Sequence, residues 1–560
     1  MSTSNKQKVY QAAAALLVAV LFCLPMYSGM IRSGPDTAFH LARILQLSEA
    51  LKHGDLYPRI FPELHMHFGY GSPLFYSVCM LYPAALLVCL GVGLLMAWRI
   101  SIFLIVFCAA YLIQSLVQPM AKHRLTPVLS SALCLLNPYV YANCYKRGAL
   151  GEMLALVFLP VVLMGIRDVL FRKRKNIRYF TIGFTGLILS HNISFILALV
   201  LLVVFFVLNI RKVNKDVLYS TALSLFLAFL LTVFFTLPMI EQLQTHLYRI
   251  SGYFGETSLA DSACSIKEFF LPGLGDQVMM CVCPGLCALL AAGALLTGNR
   301  MQKQCFALGV CLMIGATRLF PWNTLTMFSF MQFPARLLTP AVVLLGFASV
   351  PVLDLVFLKG RKQIRYGLAA LMFVLVSIHI IQLYSNWGAF NDSLETEKIF
   401  NEKRIFGSRA WYNRMELSTP DYLPASAQID YYMYDSGTVK SVSGTVVPER
   451  SYGKLLFTVE ESGEWIVPKT YYKGYRAVTV DENGRKTGSL PVEPDEYTGM
   501  VRVTVQDAPV RIKVYYGNTA VQIISNLLSL GGAVLCGLLV YERRLRSRIS
   551  AMTSASRTKR

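Results

Sequence analysis

The run FYSVCMLYPAALLVCLGVGLLMA, Phe75 to Ala97, is apolar enough to enter a bilayer, and whether it crosses decides the topology of all that follows. Basic clusters stand at Lys122-His123-Arg124, Arg172-Lys173-Arg174-Lys175, Arg211-Lys212 with Lys215, and Arg300 with Lys303. Two more are Lys359 with Arg361, Lys362 and Arg365, and Arg543-Arg544 with Arg546 and Arg548. Positive charge marks the cytosolic side, so the chain crosses an even number of times between successive clusters. A full crossing by 75–97 would put Arg172–Lys175 and every later cluster outside. With Pro83, Gly91 and Gly93 inside it, the run reads instead as re-entrant or interfacial, and residues 32–99 become one long external loop.

This parity predicts spans near 10–31, 100–119, 126–143, 153–171, 178–190, 193–210, 216–239, 277–297, 304–319, 337–358, 366–384 and 519–541. The fold class is an all-α polytopic membrane bundle of about 12–13 transmembrane helices with a small β-rich extracytoplasmic domain near the C-terminus. Residues 1–385 form the transmembrane domain and 386–518 the β-rich domain. In the latter, runs such as Lys454-Leu-Leu-Phe-Thr-Val and Val501-Arg-Val-Thr-Val alternate between turn residues. A last span, 519–541, leads to a basic cytosolic tail, 542–560, and both termini are expected in the cytosol of a multi-pass bacterial plasma membrane protein.

Composition agrees. Of 560 residues, 55% are hydrophobic and 15% charged, with a mean hydropathy of +0.49, so lipid is the main solvent. The net charge of +21 follows from the cytosolic clusters, which argues against a nucleic-acid partner. The thirteen cysteines lie almost wholly in apolar stretches and 386–518 has none, so no disulfide framework is expected. The first run, 10–31, is long for a signal-peptide core and has Phe22 before Cys23, which marks a retained helix rather than a cleaved leader.

The external segments hold the candidate chemistry. In Gly34-Pro35-Asp36-Thr37-Ala38-Phe39-His40-Leu41-Ala42-Arg43, a helix starting after Pro35 puts Asp36, His40 and Arg43 on one face. Asp36 is a candidate general base at the membrane surface, or the cap of an interfacial helix. Tyr57-Pro58-Arg59 follows, then His65, His67 and Gly69-Tyr70-Gly71-Ser72-Pro73. Four of the eight histidines lie in this loop, offering with Asp36 a candidate divalent cation site, or surface histidines without metal. Lys146, Arg147 and Glu152 bracket the next external turn, where Arg147 suits a lipid phosphate and Glu152 a hydroxyl or a metal, or a helix dipole. His191 with Asn192, and Gln332 with Arg336, come from two further turns on the same side, and a guanidinium there matches phosphate oxygens or snorkels to the interface.

In order, Asp36-xxx-His40-xx-Arg43, Tyr57-Pro58-Arg59, Gly69-Tyr70-Gly71-Ser72-Pro73, Arg147-Gly148-Ala149-Leu150-Gly151-Glu152, Ser190-His191-Asn192 and Gln332-Phe333-Pro334-Ala335-Arg336 resemble the bacterial YfhO-like membrane proteins. They are also similar to the membrane proteins labelled "6-pyruvoyl-tetrahydropterin synthase-related", and both groups look like members of the GT-C glycosyltransferase superfamily. The likeness spans residues 10 to 345 and extends to Tyr471-Tyr472-Lys473-Gly474-Tyr475. It implies transfer of a sugar from a polyprenyl-phosphate donor to a glycan, glycolipid or protein acceptor of the cell envelope. Asp36 and Glu152 then become the catalytic carboxylates, and His40, Arg43, Arg59, Arg147, His191, Gln332 and Arg336 the substrate-binding set. Where many members carry an acidic pair in the first loop, Asp36 is followed here by Thr37 and Ala38. Two other classes fit the same residues: a flippase of lipid-linked sugars, and a non-catalytic envelope assembly protein whose Trp465, Tyr471, Tyr472 and Tyr475 stack on sugar rings.

Overall fold

The computed structural model describes residues 3–27, 35–173, 176–250, 259–269, 285–360, 362–363, 367, 421–427 and 437–557. Among these, six helices are long and apolar enough to cross a bilayer: Asn5–Met26, Leu94–Val117, Leu150–Phe171, Lys215–Thr245, Pro334–Lys359 and Ala520–Glu542. Shorter apolar helices at Thr126–Leu135, Asn192–Leu208 and Cys287–Thr297 fall on further expected spans. All but residue 367 of the expected span 366–384 lies outside the described residues, as do all of 386–420 and the start of 277–297.

Depth in the bundle does not follow mean hydropathy, which is 2.1 to 2.4 for all six helices. Leu150–Phe171 is 89% buried within the protein and therefore central. Ala520–Glu542 is only 11% buried and lies at the rim, packed on Lys215–Thr245. The central helix meets Arg178–Ser190 closely because small residues face large ones. Added Cβ atoms at Gly165, Gly183 and Gly186 would come within 2.5 Å of Phe180, 2.7 Å of Val162 and 2.2 Å of Phe158.

Three expectations change in detail. The helix expected over 126–143 stops at Leu135 and restarts at Pro138, capped by Asn137, whose side chain accepts from the Tyr139 N–H at 3.0 Å. Arg178–Ser190, at 13 residues, is too short to cross a hydrocarbon core about 30 Å thick. Cys264 is disulfide-bonded, against the expectation of no disulfides. Its polar neighbours Ser262 and Ser265 set it apart from the cysteines inside apolar helices. Cys264 also pairs with Thr317 in an isolated bridge beyond the helix Arg300–Gly315.

The run 75–97 does not form one helix. Pro73 and Pro83 start short turns at Ser72–Phe75 and Tyr82–Cys89, and only from Leu94 does a long helix begin. It packs beside the amphipathic helix Pro35–Lys52, which the sequence places after Pro35.

The β-rich domain is an antiparallel sandwich. Its strands are β1 (Val439–Lys440), β2 (Thr445–Val446), β3 (Glu449–Ser451), β4 (Lys454–Val459), β5 (Gly463–Thr470), β6 (Tyr475–Val480), β7 (Lys486–Leu490), β8 (Val492–Pro494), β9 (Met500–Val505) and β10 (Val510–Tyr516). One sheet runs β2-β1-β5-β9-β8 and the other β3-β4-β10-β6-β7. Alternation puts Leu455, Phe457 and Val459 of β4 inside with Val501, Val503 and Val505 of β9.

This domain is docked rather than tethered. Its apolar core is continuous with Ile60, Leu74 and Phe75 of the first loop and with Tyr248. Trp465, Tyr472 and Tyr475 are buried there, which takes three of the four proposed sugar-stacking rings out of solvent. The glycines of the first loop make the docking possible. A Cβ on Gly71 would sit 2.5 Å from the Tyr472 ring and one on Gly69 3.5 Å from the Tyr475 hydroxyl, so Gly69-Tyr-Gly71 and Tyr471-Tyr-Lys-Gly-Tyr475 are two sides of one contact. Gly71→Leu is therefore expected to destabilise the protein by about 1–3 kcal/mol through overpacking. Tyr472→Ala in the same chain should restore part of the loss, which thermal melts in detergent would measure; equal losses with and without Tyr472 would show that the contact is elsewhere.

Candidate functional site

Glu152 opens the central helix Leu150–Ile166, and five side chains from two separate segments, 139–147 and 336–339, converge on its carboxylate. Arg147 Nη1 donates to Oε1 at 2.9 Å and Arg336 Nε to the same oxygen at 3.4 Å. Oε2 accepts from the Tyr139 hydroxyl at 2.8 Å, Asn143 Nδ2 at 3.1 Å and Thr339 Oγ1 at 3.0 Å. Arg147 also donates to Asn143 Oδ1 at 2.8 Å and Arg336 to the Met331 carbonyl at 2.9 Å. Both guanidinium groups lie over the Phe333 ring, at 4.5 and 4.2 Å from its centroid.

Asp36 stands next to this cluster. Its Oδ2 is 3.7 Å from Arg147 Nη2, and its side chain remains one-third exposed, whereas that of Glu152 is 2% exposed. Gly148 makes the approach possible. It ends the Ala142–Arg147 turn in the left-handed region, at φ +72°, and a Cβ there would fall 2.1 Å from Thr37 Oγ1, the neighbour of Asp36. Gly151 does the same on the other side, where a Cβ would meet the Tyr76 hydroxyl at 2.0 Å and His191 Cδ2 at 3.0 Å.

Asp36, Arg147, Glu152 and Arg336 line one cavity of about 420 Å³. Its other polar lining residues include His40, His191, Gln332 and Asp421, and its apolar lining includes Ile193, Ile196, Met239, Leu243, Ile250 and Phe330. His191 caps the helix Asn192–Leu208, its Nδ1 accepting the Ser194 backbone N–H at 3.3 Å, which leaves Nε2 to carry the ring proton. Gln332 adopts φ +64°, a strained value for a residue with a side chain, just before Phe333-Pro334 holds the chain extended. Burial raises the Asp36 carboxyl above its ordinary range; Arg147 and Arg336 pull it back, and Glu152 adds to the rise. Burial and the Arg43 charge hold His40 neutral.

Two of the sequence candidates are elsewhere. Arg43 is fully buried away from the cavity; it donates to the carbonyls of Tyr76 and Ser77 and to His40 Nδ1 at 3.4 Å, fastening the Tyr76 turn to the Pro35–Lys52 helix. Arg59 donates to the Phe234 carbonyl and to Asn526 Oδ1, both at 3.0 Å, and so ties the first loop to two membrane-length helices. A guanidinium on a helix face or in a loop reads the same whether its acceptors are ligand oxygens or backbone carbonyls, and here they are protein. The histidines of the first loop also part company. His53 stacks on Tyr452, His65 packs on Tyr70 and His67 pairs with Glu63. Among the described residues no three His, Cys, Asp or Glu side chains gather as metal ligands would.

Asp421 and Tyr422 are additions that no motif announced. The segment 421–427 is laid against 247–250 by backbone bonds from Arg249 to Leu423, Ile250 to Asp421 and Ala425 to Leu247. Tyr422 stacks on Phe75 at 5.3 Å, and its carbonyl accepts from the Tyr472 hydroxyl at 2.9 Å. Burial and then the Asp36 charge push the Asp421 carboxyl up to about 6, with Arg336 opposing.

No family model matches the chain. An uncharacterized protein of Lactococcus lactis subsp. cremoris (strain MG1363) is 27% identical over 249 residues, an alignment covering 42% of this chain and 40% of that protein.

The clamp around Glu152 gives a direct expectation. Glu152→Gln leaves Arg147 and Arg336 as two buried like charges without their shared partner, and should cost about 3–5 kcal/mol in thermal unfolding. Unchanged stability would show that the arginines are paired elsewhere.

Proposed function

We propose that the chain is a membrane glycosyltransferase of the GT-C type, moving a sugar from a polyprenyl-phosphate donor to a cell-envelope acceptor on the non-cytoplasmic face. The observation that carries this reading is the mixed lining of one cavity, which holds two guanidinium groups and a partly exposed carboxylate together with the aliphatic side chains of Ile193, Ile196, Met239 and Leu243. A prenyl chain suits those aliphatic side chains, and a phosphate suits Arg147 and Arg336. The ordered resemblance to the YfhO-like proteins supports the same class. A disulfide at Cys264 favours an oxidising compartment for 241–276, in keeping with an outward-facing site.

In this mechanism the acceptor hydroxyl attacks the anomeric carbon. A new glycosidic C–O bond forms, the C–O bond to phosphate breaks with its electron pair, and polyprenyl phosphate leaves. Asp36 takes the hydroxyl proton, because its oxygen is beside the guanidinium groups yet still open to the cavity. Arg147 and Arg336 stabilise the charge that grows on the leaving phosphate. Glu152 has both oxygens engaged, so it positions the two arginines and takes no proton.

A translocator of lipid-linked sugars would use the same amphipathic cavity. Against it, Asp168 and Asp354 have local structural partners: Asp168 pairs with Arg167 at 3.3 Å, and Asp354 accepts from the backbone of Lys122 and His123 and from Thr126. Reconstituted liposomes separate the two readings, since translocated donor without glycosidic product would favour the flippase. Asp36→Asn should lower sugar transfer by about 10²–10⁴-fold at normal protein levels. Retained transfer in that variant would remove Asp36 from the base role.

A further inference from the structure

The cavity lining holds two guanidinium groups, Arg147 and Arg336, and three carboxylates, Asp36, Glu152 and Asp421. With all five ionised, that set carries one net negative charge. His40 adds none, since burial and Arg43 keep it neutral, and His191 Nδ1 is occupied as an acceptor for the Ser194 N–H. An anionic headgroup entering such a space meets repulsion, and in a water-poor cavity the repulsion is weakly screened.

The three carboxylates are not equivalent. Glu152 is locked by five donors. Asp36 has Arg147 at 3.7 Å. Asp421 has no such close guanidinium among the described residues; it lines the cavity from the 421–427 strap, where Asp36 repels it and Arg336 attracts it. Of the three it is the one that gains most from a proton when further negative charge arrives.

We infer that Asp421 couples the entry of a phosphate headgroup to the uptake of one proton, so that the cavity takes an anionic lipid together with H⁺ on this carboxyl. The inference rests on the phosphate-binding part of the proposed function and not on the transfer step. Linkage fixes the sign: the ligand prefers the protonated form, so affinity is full below the Asp421 pKa and falls as pH rises through it. The carboxyl is pushed up to about 6, which puts the fall within reach of neutral pH.

The test is equilibrium binding of farnesyl methyl phosphate, a prenyl phosphodiester with one fixed negative charge, to the full chain in nanodiscs between about pH 5 and about pH 8. Wild-type affinity should weaken about tenfold per pH unit on the alkaline side. Asp421→Asn should bind at every pH as tightly as the wild type does in acid, with no slope. Asp421→Glu should keep the slope, and Asp36→Asn should move it to lower pH by removing the neighbouring charge. A slope unchanged in Asp421→Asn, as titration of His40 or His191 would give, overturns the inference and leaves the phosphate-binding reading standing. Absence of binding by the wild type at any pH overturns both.

Discussion

The polar lining of the cavity depends on the buried carboxylate of Glu152. Two guanidinium groups cannot be brought over one aromatic ring in a low-dielectric interior without a counter-charge between them, since the desolvation of each costs several kcal/mol. Glu152 supplies that charge from the first turn of the most central helix, where the backbone is itself held by packing on all sides. Tyr139, Asn143 and Thr339 complete its coordination, and through them the 138–147 turns and the Pro334–Lys359 span are fixed relative to one another. The two guanidinium groups are thereby held in fixed orientation, which is how a rigid dipolar site saves reorganisation.

The same constraint explains why the soluble-looking domain is not an appendage. The cavity's outer wall includes Tyr422, whose position comes from Phe75 on one side and from the Tyr472 hydroxyl on the other. Tyr472 can be there only because Gly71 leaves room for its ring. Gln242 donates to the Lys473 carbonyl at 2.7 Å and accepts from the Lys473 N–H at 3.1 Å, so the end of Lys215–Thr245 is joined to the same corner of the sandwich. The β domain, the first loop and the long helix therefore share one core, and a change in domain docking reaches Asp421 through the strap that it holds.

Much of this was legible from the sequence because it rests on local pattern. Apolar length gave the long helices, Pro35 gave the start of the helix Pro35–Lys52, and alternation gave the strands of the sandwich. The grouping of Asp36, His40, Arg147, Glu152, His191, Gln332 and Arg336 around one cavity followed from their placement on turns of one side. What was not legible depends on partners far away in the chain. Arg43 and Arg59 share their residue type with Arg147 and Arg336 and differ in that neither meets the Glu152 carboxylate; Arg43 finds the carbonyls of Tyr76 and Ser77, and Arg59 that of Phe234 and the Asn526 side chain. Asp421 sits in a short segment without a motif, and its relevance comes from a pairing with 247–250 that no periodicity encodes. The glycines at 71, 148 and 151 stood in the motifs without a stated reason; their reason is the ring, hydroxyl or backbone that would occupy the Cβ position.

Local saturation is what separates a binding residue from a structural one in this cavity. Glu152 has the more conspicuous position, at a helix start inside a repeated glycine frame, yet every lone pair that points at a donor is used. Asp36 has the weaker setting, a 3.7 Å ion pair and a third of its side chain open, and is for that reason the group able to accept a proton from something that enters. Were the two exchanged, with the open carboxylate at the hub and the saturated one at the rim, the guanidinium groups would lose their fixed separation whenever the hub carboxylate took a proton. With the saturated carboxylate at the hub and the open ones at the rim, a proton on Asp36 or Asp421 would leave the separation of the two guanidinium groups unchanged.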